Sequence, residues 1–512
     1  MAVETELKLS ISPDNLKRLK RHPLLKALAT TRAATRTLHS VYYDTPDLAL
    51  HRVGMALRLR RTGRRWLQAL KGGGAVLSGL HRRDEWETPA AGGMLDFDAL
   101  KACGAPELSA ALRRKLQPVF VTDFSRNLRL LQFGDAEIEL ALDSGEIRAG
   151  VMTRPISEIE LELKSGSAQQ LFRLALALLD IVPLTLEHAS KAEYGYQLHA
   201  GDMPSASVAS IPPLAKSQGI AFALQNMIAS CLQHIQANVV GAIRGQDEEY
   251  LHQVRIGLRR LRVVLAMAQE FQADVELGAL HKLVAAMCIE FGLLREWDVF
   301  VTQTLAPVCA RLPEHAGLRM LFNACEKQRA LHHASMVRAL QSADYQRLLL
   351  RFGAWMAGDY WRERPLASDP YLPDFAMQIL EQRSRQVSKL GKRLVCPPPG
   401  KYERNPSRTN PARLHALRIA CKKLRYSAGM FEALFAAGKT GRYVASLSRL
   451  QDIMGALNDV VVARRLLDGL ESGERHQALD LIRGWIEHEH AEKISELGKA
   501  WKRFVRQKAF WR

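Results

Sequence analysis

The sequence has few cysteines, and none of them is spaced as CxxC. Its seven cysteines, at positions 103, 231, 288, 309, 325, 396 and 421, are odd in number and scattered over 512 residues. Disulfide frameworks and zinc sites use paired or closely spaced cysteines. The pattern therefore argues against both kinds of site and predicts a protein of the reducing cytoplasm.

Long uncharged apolar segments are also missing. The most apolar stretch, 171–184, contains Arg173 and Asp180, whereas a membrane-spanning helix needs about 20 predominantly apolar residues. Charged residues begin at Glu4, where a signal peptide carries its apolar region. We therefore expect neither a membrane span nor secretion by that route.

Acidic residues are too few to balance the basic ones, and the imbalance is uneven. The formal net charge is +19. Residues 1–204 hold 28 basic and 24 acidic residues, or +4, and the remainder holds 44 and 29, or +15. A strongly basic domain commonly binds nucleic acid, an anionic membrane or polyphosphate. A merely solvated basic surface is the simpler alternative.

The pattern of polar and apolar residues divides the chain into two domains. Alternation predicts strands at 5–9, 55–60, 66–71, 84–87, 136–141 and 156–164, with helices at 13–21 and 168–179. A Gly-, Pro- and Ser-rich linker is predicted at 201–214, followed by an all-α domain over 215–505. The proline-rich segment 396–411 cannot be helical and predicts a mobile loop. The fold class is therefore α+β, with two domains.

The helical domain contains an internal repeat. Residues 251–262 (LHQVRIGLRRLR) match residues 414–425 (LHALRIACKKLR) at an offset of 163 positions. Residues 292–296 (GLLRE) match residues 455–459 (GALND) at the same offset. Two separate matches at one offset predict two homologous helical units, at about 245–300 and 408–463.

The predicted strands of the first domain carry charges on single faces. Residues i, i+2 and i+4 of a strand face the same side, so Glu4, Glu6 and Lys8 share a face, as do Arg58 and Arg60. A wet outer surface is the ordinary reading of such a face. The pattern recurs on at least five strands, however, and several faces are purely acidic. A closed sheet with a charged lumen explains this better, because Mg²⁺ or Mn²⁺ binds carboxylates together with substrate phosphates, and Arg and Lys bind phosphate oxygens.

These motifs resemble the CYTH family, the triphosphate tunnel metalloenzymes. The resemblance starts with Glu4-x-Glu6-x-Lys8, continues through YYDTP at 42–46, LRLR at 57–60 and EIELELKSG at 158–166, and ends with SKAEYG at 190–195. It implies an eight-stranded antiparallel tunnel over residues 1–200 that binds triphosphate compounds with a divalent metal.

The same resemblance implies roles for individual residues. The metal-handling carboxylates would be Glu4, Glu6, Glu160 and Glu162, with Glu158, Glu85 and Glu87 less securely placed. The phosphate-binding cations would be Lys8, Arg58, Arg60, Lys71, Arg126 and Lys191. The implied chemistry is hydrolytic phosphoryl transfer by positioning and charge neutralisation. It leaves open which carboxylate orients the attacking water, and whether the substrate is inorganic triphosphate, thiamine triphosphate or a nucleotide.

Each helical repeat carries a stripe of cationic residues. With spacings of 3, 4 and 3, one helix face holds His252, Arg255, Arg259 and Arg262 in the first repeat, and His415, Arg418, Lys422 and Arg425 in the second, with Arg260 and Lys423 beside them. Like charges at this spacing repel, which a bound polyanion would relieve. The alternatives are a solvated face or carboxylates from neighbouring helices.

The stripes resemble the CHAD family of conserved-histidine α-helical domains, whose fold is two four-helix bundles and which is associated with inorganic polyphosphate. The segments LREWDV at 294–299 and LNDV at 457–460 are similar to family motifs that we expect to be structural. Single-stranded nucleic-acid sites interleave aromatic residues with cations, but Tyr426 is the one aromatic residue beside the stripes. Polyphosphate is therefore favoured over nucleic acid.

Together these features predict a cytoplasmic Mg²⁺- or Mn²⁺-dependent triphosphatase that hydrolyses inorganic triphosphate to pyrophosphate and phosphate. Its helical domain would bind inorganic polyphosphate, with possible residence at polyphosphate granules. The competing hypotheses are a polyphosphate-binding or granule-associated protein with an inactive tunnel, and a nucleic-acid-binding protein.

Overall fold

The fold is taken from a computed structural model of the 512-residue chain. The structure describes residues 2–77, 79–201, 205–210, 212–245, 247–358, 361, 371–395, 411–470 and 476–512. The described residues group into two compact units.

Nine antiparallel strands form the sheet of the first unit. They are β1 (Ala2–Ser10), β2 (Ala34–Asp44), β3 (Ala56–Thr62), β4 (Arg65–Leu77), β5 (Leu80–Pro89), β6 (Gln117–Phe133), β7 (Ala136–Ala149), β8 (Met152–Ser165) and β9 (Thr185–Glu187). Their order is β5-β4-β3-β2-β6-β7-β8-β1-β9, and β5 also pairs with β1. That pairing closes the first eight strands into a barrel, which confirms the predicted eight-stranded antiparallel tunnel. All six strands predicted from alternation are present, whereas β2, β6 and β9 were not predicted.

Short helices surround the barrel. They are α1 (Pro13–Lys20), α2 (Pro23–Leu28), α3 (Ala49–Arg52), α4 (Phe97–Ala102), α5 (Ala110–Arg113), α6 (Gln169–Leu179) and α7 (Lys191–Ala200). Helix α1 begins at a proline, and its preceding residue Ser12 accepts a hydrogen bond from Asn15 N. Helices α1 and α6 match the two helices predicted for this domain.

The first unit also contains a helix from much further along the chain. Helix α13 (Ala343–Ala357) groups with the barrel rather than with the other helices. It packs on α6, where Gly353 gives room for the Phe172 ring, and Gln346 Oε1 accepts a hydrogen bond from Leu186 N at 2.9 Å. Arg347 and Asp180 form an ion pair at 2.8 Å. The sequence pattern predicted one helical domain over 215–505 and did not indicate that a helix from this range would pack with the barrel.

All regular elements of the second unit are helices in the part of the chain that the structure describes. The first repeat supplies α8 (Ile220–Arg244), α9 (Glu248–Phe271), α10 (Val275–Val299) with its continuation through a π-helical turn (Phe300–Leu305) into α11 (Ala306–Arg311), and α12 (Ala316–Gln341). The second repeat supplies α14 (Leu372–Val395), α15 (Pro411–Met430), α16 (Ala437–Asp468) and α17 (His476–Val505). Each repeat thus contributes four long helices, as predicted for an all-α domain.

The two repeats share a hydrophobic core. Trp297, Phe300 and Leu321 from the first repeat are buried together with Leu467 and Ile482 from the second. Because no single repeat encloses this cluster, the duplicated helices form one folded unit.

The most apolar helix is not the one singled out from the sequence. Among the described residues, one continuous helix, 275–311, contains an 18-residue window with a mean hydropathy of 1.6, which a membrane span could have by length and composition. Of that window, 28% is buried. Core helices of globular proteins pass the same test, so the finding is weak evidence for a span.

Two sequence predictions concern segments that are not fully described. The predicted mobile loop at 396–411 lies outside the described residues except for position 411, which begins α15. The predicted linker at 201–214 is described at 201, 205–210 and 212–214, and these residues are neither helix nor strand.

Candidate functional site

Strand register brings the predicted charged residues to one interior. Lys8 of β1 lies opposite Glu160 of β8, and Glu6 lies opposite Glu162. On the other side of β1, Glu4 lies opposite Arg83 of β5. Alternate residues of each strand point into the barrel. The charged faces of the separate strands therefore line one common lumen.

The lumen contains a cavity of about 370 Å³. All ten tunnel residues predicted from the resemblance line it. Its lining also includes residues that the sequence analysis did not select as site residues, namely Arg36, Tyr42, Arg83, Glu139 and Ser190. Strand alternation could have selected all of these except Ser190, which does not lie on a strand. Each of the other four is an even number of positions away from another interior residue of its own strand.

Glu160 is the most heavily paired carboxylate of the tunnel. It forms ion pairs with Lys8 and Arg126, and with Lys191 at 3.0 Å. Burial alone would raise the pKa of Glu160, but Arg126, Lys191 and Lys8 hold it well below its usual value. Burial alone would likewise lower the pKa of Lys8, but Glu160 and Glu6 raise it. Both groups are therefore charged near neutral pH.

Asp143 is a buried carboxylate that the sequence analysis did not select. Arg126 donates two hydrogen bonds to it, from Nε at 2.8 Å and Nη2 at 2.6 Å, and Lys191 lies 2.6 Å away. Asp143, Glu158 and Glu160 offer carboxylate oxygens within 4.8 Å of one another. The signal for Asp143 was its parity with Glu139, which places both side chains on one face of the strand.

Helix α7 brings Lys191 to this carboxylate group. Ser190 precedes the helix and accepts a hydrogen bond from Glu193 N. One turn further along the helix, Gly195 lies so close to Phe120 that a Cβ on Gly195 would be 2.2 Å from the Phe120 ring. This close packing against the interior aromatic residues fixes the start of the helix, and therefore the position of the lysine.

The other cations pair with carboxylates nearer β5. Arg58 Nη2 donates to Glu85 at 2.7 Å, and Lys71 Nζ donates to Glu4 at 2.6 Å. Arg60 has no acidic partner within 4.0 Å among the described residues, and its Nε donates to Ser40 at 3.3 Å. Burial and the neighbouring Arg58 lower the pKa of Arg60 to about 10. A bound anion would therefore stabilise the charged form of Arg60.

The predicted metal carboxylates fall into two groups. Glu160 belongs to the deep group with Asp143 and Glu158, whereas Glu4 and Glu162 lie near Glu139, where burial and these like charges raise the pKa of Glu162. Both groups offer hard oxygen donors, which Mg²⁺ and Mn²⁺ prefer. The residues present therefore fit a divalent cation, which would take over the neutralisation that the interior lysines and arginines provide.

In the helical unit the two predicted stripes lie close together. Helices α9 and α15 are in contact. Burial and the charges of Arg418, Arg259 and Arg255 lower the pKa of Lys422 to about 6. Arginines from both stripes therefore lie close enough to Lys422 to lower the pKa of its amine. We call the four residues of this set the basic groove: Arg255, Arg259, Arg418 and Lys422. None of these four has an acidic partner within 4.0 Å in the described part of the chain.

Several stripe residues have structural contacts as well. Arg255 Nη1 donates to Phe291 O, and burial with Arg259 nearby lowers the pKa of Arg255 to about 9. Arg260 is buried and donates to Ser210 O at 2.9 Å, so it contacts the segment before α8 instead of joining Arg259. His415 Nδ1 lies 3.5 Å from Asn458 Oδ1, and burial lowers the pKa of His252.

The remaining predicted groove residues lie at its edges. Arg262 and Lys423 are exposed, and Arg425 is half-buried with its guanidinium 5.1 Å from the Tyr426 ring centroid. The carboxylates of the LREWDV segment pair elsewhere, Asp298 with Arg329 at 2.8 Å and Glu296 with Arg465. Their charges nevertheless reach the stripes, because Asp298 raises the pKa of Arg255 and Glu296 raises that of Arg418 against the larger lowering by burial. Asp459 of the LNDV segment acts in the same direction on Arg418 and Lys422.

A closed tunnel lined by opposed carboxylates and cations, followed by a duplicated helical unit, defines a two-domain class of protein. Models of two families match the chain, the CYTH domain over residues 2–196 and the CHAD domain over residues 226–468. The chain is therefore a fusion of a CYTH domain with a CHAD domain.

Individual relatives agree with this assignment. An inorganic triphosphatase of Haemophilus influenzae is 38% identical over 198 residues, which cover 39% of this chain and 55% of that protein. The match thus spans little more than half the length of that relative. An uncharacterized protein of Mycobacterium tuberculosis is 25% identical over 456 residues, covering 85% of this chain and 82% of its own. The crystal structure of the CHAD domain from Ricinus communis covers 60% of this chain and 98% of its own, with 28% identity and a TM-score of 0.51.

Proposed function

We propose that the tunnel hydrolyses inorganic triphosphate to pyrophosphate and phosphate with the help of a divalent cation. The observation that supports this most directly is the convergence of eight cations and seven carboxylates on one cavity of about 370 Å³. Such a cavity neutralises a compact polyanion and its metal together. The inorganic triphosphatase among the relatives points to the same reaction.

The cations of the chain would bind the substrate. Arg58, Arg60 and Lys71 on β3 and β4 would hold one part of the triphosphate, and Arg126 and Lys191 the other. Arg can bind phosphate oxygens through two parallel hydrogen bonds. By holding three phosphoryl groups in a fixed line, these residues would orient the terminal phosphorus toward the attacking water.

The carboxylates would hold the metal and orient water. Glu4, Glu6 and Glu162, or the deeper Asp143, Glu158 and Glu160, supply the oxygen ligands. When bound, Mg²⁺ or Mn²⁺ would neutralise phosphate oxygens as a Lewis acid. Burial, followed by the charge of Glu160, raises the pKa of Glu158, so this group carries a proton at higher pH than a free glutamate does. Which carboxylate receives the proton of the attacking water stays open.

Inorganic triphosphate is favoured over thiamine triphosphate or a nucleotide. An organic base would need an apolar or aromatic surface beside the tunnel. Among the described lining residues, Tyr42 is the aromatic one, and its ring is already stacked on Phe120 at 4.4 Å. The rest of the lining is largely ionic.

A substrate panel tests the proposal. Phosphate release from triphosphate, ATP, thiamine triphosphate and long-chain polyphosphate is measured with and without Mg²⁺ or Mn²⁺, in wild type and in Glu6→Ala. The matched control is Glu146→Ala, whose carboxylate is partly exposed and lies outside the tunnel lining. We expect metal-dependent turnover of triphosphate that only Glu6→Ala abolishes. If wild type releases no phosphate, the competing hypothesis of a binding protein with an inactive tunnel replaces this one.

We further propose that the helical unit binds inorganic polyphosphate through the basic groove, which would also place the protein at cytoplasmic polyphosphate granules. The supporting observation is that Arg255, Arg259, Arg418 and Lys422 share one site without ion-pair partners in the described residues. A filter-binding assay compares wild type with an Arg259→Ala, Arg418→Ala double variant, using DNA as competitor. Loss of binding in the variant, with DNA a weak competitor, is expected. Effective competition by DNA would favour a nucleic-acid-binding protein.

A further inference from the structure

Helix α10 has an exposed apolar face that the domain does not cover. Val275 is 91% exposed, Ile289 68% and Leu293 41%. The residues of this face are spaced 4, 3, 4, 3 and 4 positions apart, which is the spacing of the contact residues in a coiled-coil helix. We call them the α10 seam: Val275, Ala279, Lys282, Ala286, Ile289 and Leu293.

The seam lies on a different side of α10 from the core and from the basic groove. Leu280, Val284 and Phe291 are buried in the unit. His281 and Cys288 face the stripe: after burial, Arg262 is the charge with the largest effect on the pKa of each, and it lowers both. At about 100° per residue, Ala286 points away from both sets. A partner on the seam would therefore leave the groove accessible.

The internal repeat provides a control for this face. Helix α16 occupies the corresponding place 163 residues later. There, Ala286 corresponds to the exposed Arg449 and Ile289 to the exposed Asp452. The fold thus tolerates charged residues at these positions, so its own packing does not require the apolar side chains on α10. Exposed apolar residues that the fold does not need mark a contact surface.

We propose that the α10 seam is the contact of a homodimer, in which α10 packs antiparallel against α10 of a second copy around a two-fold axis at Ala286. In this register the small Ala286 meets its own copy, and Ala279 lies opposite Leu293 of the second copy, so the helix backbones can approach closely. Lys282 lies opposite Glu290 of the second copy, and the two-fold axis generates this pair twice. An isologous interface requires this kind of self-complementary surface.

Charge favours a second copy over other occupants of the seam. Lys282 and Glu290 are exposed and have no ion-pair partner within 4.0 Å among the described residues. Since one is basic and the other acidic, the face lacks the cationic excess that interfacial membrane helices carry. It also lacks a net charge that would attract a polyanion. The self-complementary pairing uses both charges.

The mass in solution tests the proposal with the full-length protein. Sedimentation equilibrium of wild type should show a reversible equilibrium between the 57.3 kDa chain and a species of twice that mass. A contact of two single helices is smaller than the roughly 1,600 Å² typical of stable complexes, so we expect dissociation in the micromolar range. Ile289→Asp, which copies the residue of the second repeat, should weaken the dimer at least about tenfold. The control, Asp452→Asn on α16, should leave it unchanged.

Charge reversal tests the register independently of folding. Lys282→Glu and Glu290→Lys each place like charges opposite each other twice and should weaken the dimer, whereas the double variant should restore it. Wild type that stays monomeric at about 100 µM, a concentration far above micromolar dissociation, would overturn the proposal. So would a double variant that is as weak as the single ones. If monomeric wild type but not Ile289→Asp sediments with lipid vesicles, a membrane surface occupies the seam instead.

Discussion

Asp143 shows how one side chain can organise the tunnel. It is fully buried and holds both Arg126 and Lys191 at 2.6 Å. Removing one partner of a buried ion pair leaves uncompensated charge, which costs about 3–5 kcal/mol. Asp143→Asn should therefore lower the free energy of unfolding by about that amount and abolish triphosphate turnover. Urea denaturation and phosphate release measure the two effects.

The control for this prediction is Asp123→Asn on the neighbouring strand. Asp123 pairs with Arg148, and its Oδ1 lies 2.5 Å from His39 Nδ1, but all three side chains are partly exposed, at 29%, 49% and 31%. Exposed pairs contribute about 0–1 kcal/mol, so this variant should keep its stability and its activity. Equal losses in both variants would show that burial does not distinguish the two carboxylates.

The basic groove should respond to pH through Lys422. Burial and the neighbouring arginines lower the pKa of Lys422 to about 6, below the value of about 10.4 in an unfolded chain. The unfolded chain therefore binds more protons between these values, and this group makes stability rise with pH in that window. A bound polyanion favours the ammonium form, so its pKa rises again and binding takes up a proton at pH 7.5.

The affinity for polyphosphate should consequently fall as the pH rises from about 6 to the higher pKa that Lys422 has in the complex. Calorimetry in buffers of different ionisation enthalpy measures the proton uptake at pH 7.5. It should approach one proton per site in wild type and disappear in Lys422→Met. Uptake that persists in the variant would assign the proton to another group, such as His252.

At the scale of elements, the contact between α6 and α13 depends on a missing side chain. A Cβ at Gly353 would lie 2.0 Å from the Phe172 ring. Overpacking of this kind typically costs about 1–3 kcal/mol, so Gly353→Ala should destabilise the first unit even though alanine is the better helix former. Gly441→Ala on α16, where nothing lies within 4 Å of the added Cβ, should instead be neutral or stabilise by up to about 1 kcal/mol. Thermal unfolding monitored by calorimetry compares the two variants.

Alternation and repetition determined how much of these elements could be predicted. The period of two in residues 158–164 predicts a strand with one charged face, and alternation of this kind predicts six strands, whereas the number of eight strands was implied by the resemblance to the CYTH family. The 163-residue offset likewise predicts the paired helices α9 and α15. Both signals are local and repeat along the chain, so a single sequence is enough to read them.

What could not be predicted depends on partners distant in sequence. Periodicity indicates that α13 buries one face but not that this face meets α6, about 170 residues earlier. Adjacent positions of a stripe can also diverge, since Arg259 lies in the groove while Arg260 turns to Ser210 O. Asp143 was missed because its strand was predicted only as far as residue 141.

For the whole molecule, the excess of positive charge should govern its response to salt. Of the net charge of +19, +15 lies beyond residue 204. Binding of a phosphate polymer releases counterions, so the logarithm of the affinity should fall linearly with the logarithm of the salt concentration. The Arg259→Ala, Arg418→Ala variant should lower the magnitude of that slope by about 2, and Lys26→Ala, an exposed lysine of the first unit, should leave it unchanged. Filter binding over a series of salt concentrations measures the slope.

Helix α13 also imposes an order on biosynthesis. When the barrel strands have left the ribosome, the surface around Phe172 is not yet covered, because the helix that packs on it ends at Ala357, roughly 150 residues later. At the usual rates of translation, about 5–20 residues per second, this gap lasts about 8–30 s. During that time the nascent barrel presents an uncovered apolar surface, so the synthesis of this protein should depend on chaperones that bind nascent chains.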